Sequence, residues 1–386
     1  MVSPIIKQSW TVSAVLLNML GQGMALSYSS CLVPALQAPD STIKTDLETI
    51  SWLSSCIGLA SLPGFIISSW LMDSFGRKIA HGIVIIPGTL GWLLIYYASN
   101  VPMLLAGRIF CGITGGATVT LGAVVIGEYT SPQHRGMFLN LKTASVCLGN
   151  TVVHLIGNYW DYKTVAMCAI LPHFIAMVII CTWPESPAWL AARREFQKSE
   201  KSFYWLRGKT DESSRELDQL FRSQMDKGIS MHTKLGKTKQ TRNCISTFFN
   251  KFTRKDFLKP VAIIFFASLV LEACGRHIFP AYALDMIGRI TGNENKTHAF
   301  YYTLCIDLIT TISASMSSLL VRLLKRRTLL FSTGAAALVV LFSVCTYLFL
   351  QSKGVIPRGY TFIPISLLAI YFILANLGCT PIPLAL

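Results

Sequence analysis

The sequence predicts an all-α polytopic membrane protein, and three observations carry the prediction. The chain of 386 residues is 52% hydrophobic and only 14% charged. Its apolar residues gather into blocks of roughly 20 or more, each enough to cross a ~30 Å hydrocarbon core as a helix rising ~1.5 Å per residue. Helices are favoured because each satisfies its backbone hydrogen bonds within itself. The third observation is where the charges fall. Half of the 34 Lys and Arg lie between Glu185 and Pro260, and others cluster at Arg77-Lys78, Arg135 and Lys325-Arg326-Arg327. If the spans alternate, all of these share one side, whereas Gln37 to Glu48, Asn100 to Met103 and Tyr159 to Lys163 carry few positive charges. That asymmetry is the positive-inside pattern and puts the N-terminus and the long polar loop in the cytoplasm. The formal charge of +15 is thereby explained by topology, and the expected partner is the lipid bilayer, not nucleic acid.

Reading apolar blocks between breakers gives spans near residues 10 to 36, 48 to 72, 79 to 98, 102 to 127, 137 to 158 and 164 to 183. The first is too long for a cleaved leader and is expected to remain as a helix. Four more spans fall near 257 to 284, 298 to 321, 328 to 350 and 361 to 386. The predicted organisation is a six-helix N-terminal half over 1–183, a cytoplasmic loop over 184–256 and an incomplete four-helix C-terminal half over 257–386. Within the loop, Trp189, Ala192, Phe196, Ser199 and Phe203 recur at three- and four-residue steps, the mark of a short amphipathic helix. A second helix is expected from about Ser213 to Met225, and after Gly228 the basic run Lys234, Lys237, Lys239, Arg242 is expected to be mobile.

Several chemistries are excluded. The 11 cysteines sit almost all inside apolar spans without a C-x-x-C pair or a Cys/His cluster, and read as small membrane-core residues. Gly208-Lys209-Thr210 and Gly236-Lys237-Thr238 look like the tail of a phosphate loop, but the required earlier glycine is Phe203 in one and Met231 in the other. With no nucleophile and base, metal cluster or nucleotide loop, neither an enzyme nor a cofactor is expected.

Four motifs in order remain: Asp73-x-x-Gly76-Arg77-Lys78, Gly107-Arg108, Glu128-Tyr129-Thr130-Ser131-Pro132-x-x-Arg135-Gly136, and Pro184-Glu185-Ser186-Pro187-Ala188-Trp189-Leu190. Together they resemble the sugar porter family of the major facilitator superfamily. Arg135-Gly136 through Thr143 and Gly149 most resembles its insect facilitated trehalose transporter branch. A worn internal repeat agrees, since Arg322 to Arg327 follows span 8 as Asp73 to Lys78 follows span 2. The resemblance implies two halves that rock about a central site, by facilitated diffusion of a hexose or trehalose across, in all expectation, the plasma membrane. It also implies a cytoplasmic gate made of Asp73, Gly76, Arg77, Lys78, Arg108, Glu128, Arg135, Gly136, Glu185, Arg326 and Arg327, in which Gly76 turns the chain and the charged residues form ion pairs. The simpler reading of the basic members is that they obey the positive-inside rule and snorkel to headgroups. Acidic partners have no such topological role, which favours the gate.

For sugar recognition, the family's amides and aromatic platform map onto Thr143, onto Leu271-Glu272-Ala273-Cys274-Gly275-Arg276-His277, and onto Tyr282, Thr310, Pro381, Pro383 and Leu384. Only Gly275, Tyr282, Pro381 and Pro383 keep the family's residue type, and Thr143 agrees with the trehalose-type branch. The candidate substrate-binding residues are therefore Thr143, Glu272, Gly275, His277, Tyr282, Thr310, Pro381 and Pro383. Ionisable residues at membrane depth mark function by default. Glu272 and Arg276, four apart, share a helix face and can pair. Asp307 is expected to face the same cavity. Proton-coupled members of the family carry a carboxylate in span 1, where this chain has Ser29, so uncoupled transport is expected. The lost amides suit a rival reading, a non-transporting sensor or regulatory paralogue or a truncated product. Asn295-Lys296-Thr297 is a glycosylation sequon placed outside the cytoplasm. If the repeat is kept, the second half should extend to about residue 440, so the chain is expected to stop two helices short.

Overall fold

The computed structural model describes residues 3–236, 255–273, 275, 278–291, 296–324, 326–355, 357 and 362–379, and it is helical almost throughout. Span 1 is two helices, α1 (Pro4–Ser27) and α2 (Ser29–Gln37), joined at Tyr28. Then come α3 (Leu47–Phe75), α4 (Arg77–Tyr96), α5 (Val101–Tyr129), α6 (Pro132–Tyr159) and the pair α7 (Tyr162–Cys168) and α8 (Ile170–Thr182). The loop holds α9 (Pro187–Ala192), α10 (Phe196–Arg207) and α11 (Asp211–Gly236). The second half contains α12 (Lys255–Ala273), α13 (Ile278–Thr291), α14 (Lys296–Leu323), α15 (Arg326–Ser352) and α16 (Phe362–Leu374), followed by a π-helical turn, Ala375–Cys379.

Local chemistry sets these boundaries. Asp46 caps α3 by accepting the Thr49 N–H at 3.3 Å, and Asn100 caps α5 by accepting that of Met103 at 3.0 Å. Pro132 opens α6, where its missing N–H is no loss. The loop departs from expectation in detail: the amphipathic stretch breaks between α9 and α10, and α11 runs on to Gly236, past the point where a mobile run was expected. Residues 237–254 lie outside the described part.

Among the described residues, six helices are long and apolar enough to cross a membrane: Leu47–Phe75, Arg77–Tyr96, Val101–Tyr129, Tyr162–Thr182, His298–Ser317 and Arg327–Ser352. The other expected spans take different forms. α1 and α6 are long but more polar, because Gln8, Asn18, Asn140, Lys142, Asn150 and His154 turn into the bundle and are buried there. Span 7 is broken around Gly275 into α12 and α13, and α16 has only 13 residues. The molecule is thus a two-bundle, all-α membrane protein with a reduced second bundle.

The first bundle packs at backbone distance. A side chain at Gly149 would place its Cβ 2.1 Å from the Leu20 carbonyl oxygen, and one at Gly23 would sit 2.0 Å from that of Val146. Only glycine lets α1 and α6 approach so closely, the small-residue packing expected where lipid supplies no hydrophobic drive between helices. The bundles meet along α6 and α14, where Ala144 and Cys147 pack against Ala314.

Candidate functional site

Two polar regions interrupt this apolar framework. The first lies at the end of the bundle nearest the long loop and is built around Gly76, whose φ of 90° turns the chain from α3 into α4. The Glu185 carboxylate fills the space a Cβ there would need, at 2.5 Å. Its Oε1 accepts the N–H of Arg77 at 2.7 Å and of Lys78 at 3.1 Å, so an anion satisfies the orphan donors at the positive end of α4. Arg77 reaches across to Glu128 with Nη2 to Oε1 at 2.7 Å, and Nη1 donates to the Met72 carbonyl at 3.0 Å. The second Glu128 oxygen accepts from Ser186 Oγ at 2.5 Å, and Tyr129 donates its hydroxyl to the Pro184 carbonyl at 3.1 Å. Asp73 takes part through its backbone carbonyl, which accepts from Trp189 Nε1 at 3.2 Å and Arg193 Nη2 at 3.0 Å, while its side chain is exposed. Lys78 Nζ donates to the Cys181 carbonyl at 3.1 Å in the last turn of α8.

Asp73, Gly76, Arg77, Lys78, Glu128 and Glu185 therefore come together. Arg135 and Arg327 are exposed at the starts of α6 and α15, Gly136 is half-buried beside Arg135, and Arg326 is described in its backbone alone. Arg108 departs from expectation: it sits near the start of α5, at the opposite end of the bundle from this cluster. It is fully buried, with Nε donating to the Leu53 carbonyl at 3.0 Å, Nη1 to the Ala25 carbonyl at 2.7 Å and Nη2 to Ser29 Oγ at 2.6 Å. It braces α1, α2, α3 and α5 together. The alternation of spans could have predicted this end, because α5 runs toward the loop and Arg108 comes early in it.

The second region is a cavity of about 660 Å³ between the two bundles, within the size range of small-molecule sites. It is lined from the first bundle by α1, α3, α5 and α6 and from the second by α12 and α13. Of the predicted substrate residues, Thr143, Glu272 and Tyr282 line it. Gln22, Ser54, Arg108 and Lys142 line it as well. Gln22 Oε1, Ser54 Oγ and Thr143 Oγ1 are buried and have no hydrogen-bond partner among the described residues. Buried polar atoms without partners are costly, so three on one cavity wall suit a ligand or waters that bring hydroxyls. Gly275 forms the half-buried turn between α12 and α13 at φ 71°, and Thr310 donates its hydroxyl to the Asp307 carbonyl of its own helix at 2.8 Å. His277, Arg276, Asn295, Pro381, Pro383 and Leu384 lie outside the described residues.

Sequence reasoning also missed or misplaced three residues. Lys142, only 5% exposed, lines the cavity and donates to the Val119 carbonyl at 3.3 Å. Its depth within α6 was the available signal. Asp307 does not line the cavity as expected; it is buried against His154, which the sequence reading passed over. Nothing along the chain places residues 154 and 307 side by side.

The fold and cavity define a multi-pass membrane protein of the major facilitator type. Two solved structures superpose on it: the proton:xylose symporter XylE bound to 6-bromo-6-deoxy-D-glucose, at TM-score 0.72 and 16% identity over 98% of this chain and 82% of that one, and XylE from E. coli in a partially occluded inward-open conformation, at TM-score 0.72 and 15% identity over 100% and 86%. At such identities the likeness is one of fold. Residues 23–386 match the family described as "Sugar (and other) transporter", and the chain belongs to that family, one of transporters and not enzymes. Among curated relatives, it is 28% identical over 373 residues to the facilitated trehalose transporter Tret1 of Bombyx mori, covering 96% of this chain and 69% of the relative. It is 26% identical over 373 residues to Tret1 of Apis mellifera ligustica, covering 96% and 70%.

Proposed function

We propose that the chain is a facilitative sugar carrier that works by alternating access, with its substrate in the central cavity. The observation that carries the reading is a space of sugar size in a chain of this family, lined by Gln22, Ser54 and Thr143, whose side-chain oxygens have no partner among the described residues. A hexose or a disaccharide such as trehalose presents hydroxyls all round and would satisfy atoms that now go unpaired. Glu272 and Tyr282 supply a carboxylate acceptor and an aromatic ring from the opposite bundle. Uncoupled transport is supported by Arg108, whose Nη2 bonds the neutral hydroxyl of Ser29 at 2.6 Å where a carboxylate would introduce a titrating partner.

The Gly76 cluster serves as the gate. Arg77, Glu128 and Glu185 tie α3, α4 and α5 to the loop on the cytoplasmic side and would rearrange as the bundles rock. This orientation, a plasma-membrane location and the division into 1–183, 184–256 and 257–386 belong to the same reading. Uptake of radiolabelled glucose and trehalose into proteoliposomes tests it. Saturable uptake lowered in affinity about tenfold by Thr143→Val, as for one lost hydrogen bond to substrate, is expected. Absence of uptake of both sugars by folded protein would favour a sensor or regulatory role, for which the Glu272 substitution in span 7 is the motivating feature.

A further inference from the structure

At the loop end of the first bundle, three elements meet on one buried glutamine. Gln8, near the start of α1, is 3% exposed. Its Nε2 donates to the Leu206 carbonyl of α10 at 3.3 Å, and its Oε1 accepts the N–H of Ser131, the residue before α6, at 3.0 Å. The end of α10 lies on the start of α1, since a Cβ built on Gly208 would stand 3.3 Å from Pro4 Cγ. The starts of α1 and α6 and the end of α10 therefore form one corner.

Arg207, Lys7, Arg135 and Lys209 gather at this corner, and only the first is neutralised. Arg207 Nη1 meets Glu216 Oε2 at 2.7 Å, and Nη2 donates to the Thr130 carbonyl at 2.7 Å. Lys7, Arg135 and Lys209 form no ion pair among the described residues. Lys7 Nζ lies 5.1 Å from the centre of the Trp205 ring and Lys209 Nζ 5.8 Å from that of Tyr204. A ring face attracts an ammonium without neutralising it. Burial pushes the Arg207 guanidinium down from its usual range, Glu216 opposes this and Arg135 adds to it, which makes Arg135 a near neighbour. The acids closest along the chain, Asp211 and Glu212, stand in the first turn of α11, where the helix dipole favours them.

The corner also has an apolar edge. Ile6 is 57% and Trp10 47% exposed, one turn apart on α1, and exposed tryptophan settles at the level where headgroups meet acyl chains. Surplus positive charge beside outward-facing apolar residues is complementary to a molecule with an anionic head and a hydrocarbon tail. A free phosphate would use the charge alone.

We propose that the corner of α1, α6 and α10 binds an anionic phospholipid of the leaflet beside the long loop, with Lys7, Arg135 and Lys209 on its headgroup and Ile6 and Trp10 against its acyl chains. The lipid ties a loop helix to the first bundle. No part of the transport reading is needed, and the test uses no sugar. The full chain is purified in nanodiscs holding phosphatidylserine and phosphatidylcholine in equal amounts, and the lipids it retains are counted by native mass spectrometry.

Phosphatidylserine should be retained over phosphatidylcholine, and each of Lys7→Gln, Arg135→Gln and Lys209→Gln should lower that preference about fivefold, the worth of one cation near anionic headgroups. Lys7→Arg keeps the charge and should keep the preference, which separates a lost cation from a lost fold. Lys198→Gln, on the same α10 but already paired with Glu195 at 2.6 Å, should change nothing. Equal retention of the two lipids by the parent, or losses in Lys198→Gln as large as in the other variants, would overturn the proposal. So would release of phosphatidylserine by inorganic phosphate at matching concentration, which would make the corner a phosphate site in which the apolar edge plays no part.

Discussion

The two bundles solve the same packing problem by different means. In the first, helices touch through glycine at backbone distance and a fully buried arginine braces four of them, so its shape is set by contacts that tolerate little change. In the second, an apolar cluster that includes Phe279, Ala283, Ile287, Ile306, Ala337 and Phe372 joins α13, α14, α15 and α16, and the Asp285–Arg289 pair sits on an exposed face. The first carries a charged collar at one end, and the second is built around a span 7 broken at Gly275. A carrier that rocks one bundle against the other has use for that asymmetry.

The largest effect should come from Arg108→Lys. Lysine keeps the charge but loses the planar fork that serves Leu53, Ala25 and Ser29, leaving a buried cation short of acceptors at a cost of about 3 kcal/mol. Arg289→Lys, at an exposed pair in the second bundle, should cost nothing measurable. Thermal unfolding in detergent compares them, and equal losses would break the contrast between the bundles. Next in size is Gly149→Ala, expected to cost about 2 kcal/mol through forced separation of α1 and α6. Gly288→Ala in α13 is expected to be neutral, because an added Cβ there meets nothing within 4 Å.

Smaller still is the collar. Arg77→Gln and Glu128→Gln together should cost less than the sum of the single changes, with a coupling of about 1 kcal/mol for this partly buried pair. Additive losses would show that the collar does not act as a unit. The smallest physical effect is Asn295→Gln, expected to leave stability unchanged while removing a glycan and increasing gel mobility in eukaryotic cells. Glycan on Asn295 places the region between α13 and α14 outside, whereas a cytoplasmic tag signal from it would overturn the proposed orientation.

Much of the collar was legible before any coordinates, because its motifs are short and local. Gly76 must turn the chain between two helices, and acidic residues at helix ends must find donors. Arg108 was assigned to the wrong end because a motif says which residue matters and not what surrounds it. The cavity was legible through Thr143, Glu272 and Tyr282. Gln22 and Ser54 were invisible, since a lone polar residue in an apolar span reads equally well as core.

The sequence by itself determined the class of protein: apolar blocks of membrane length have no other stable solution. It also determined where chains turn and which helices carry charge at their ends. Only the tertiary structure decided which polar atoms lack partners and which bundle each buried charge serves. Hydrophobic length and charge count are properties of a segment, but a hydrogen bond left unmade at Thr143, or the contact between His154 and Asp307, belongs to helices from distant parts of the chain and exists only once they meet.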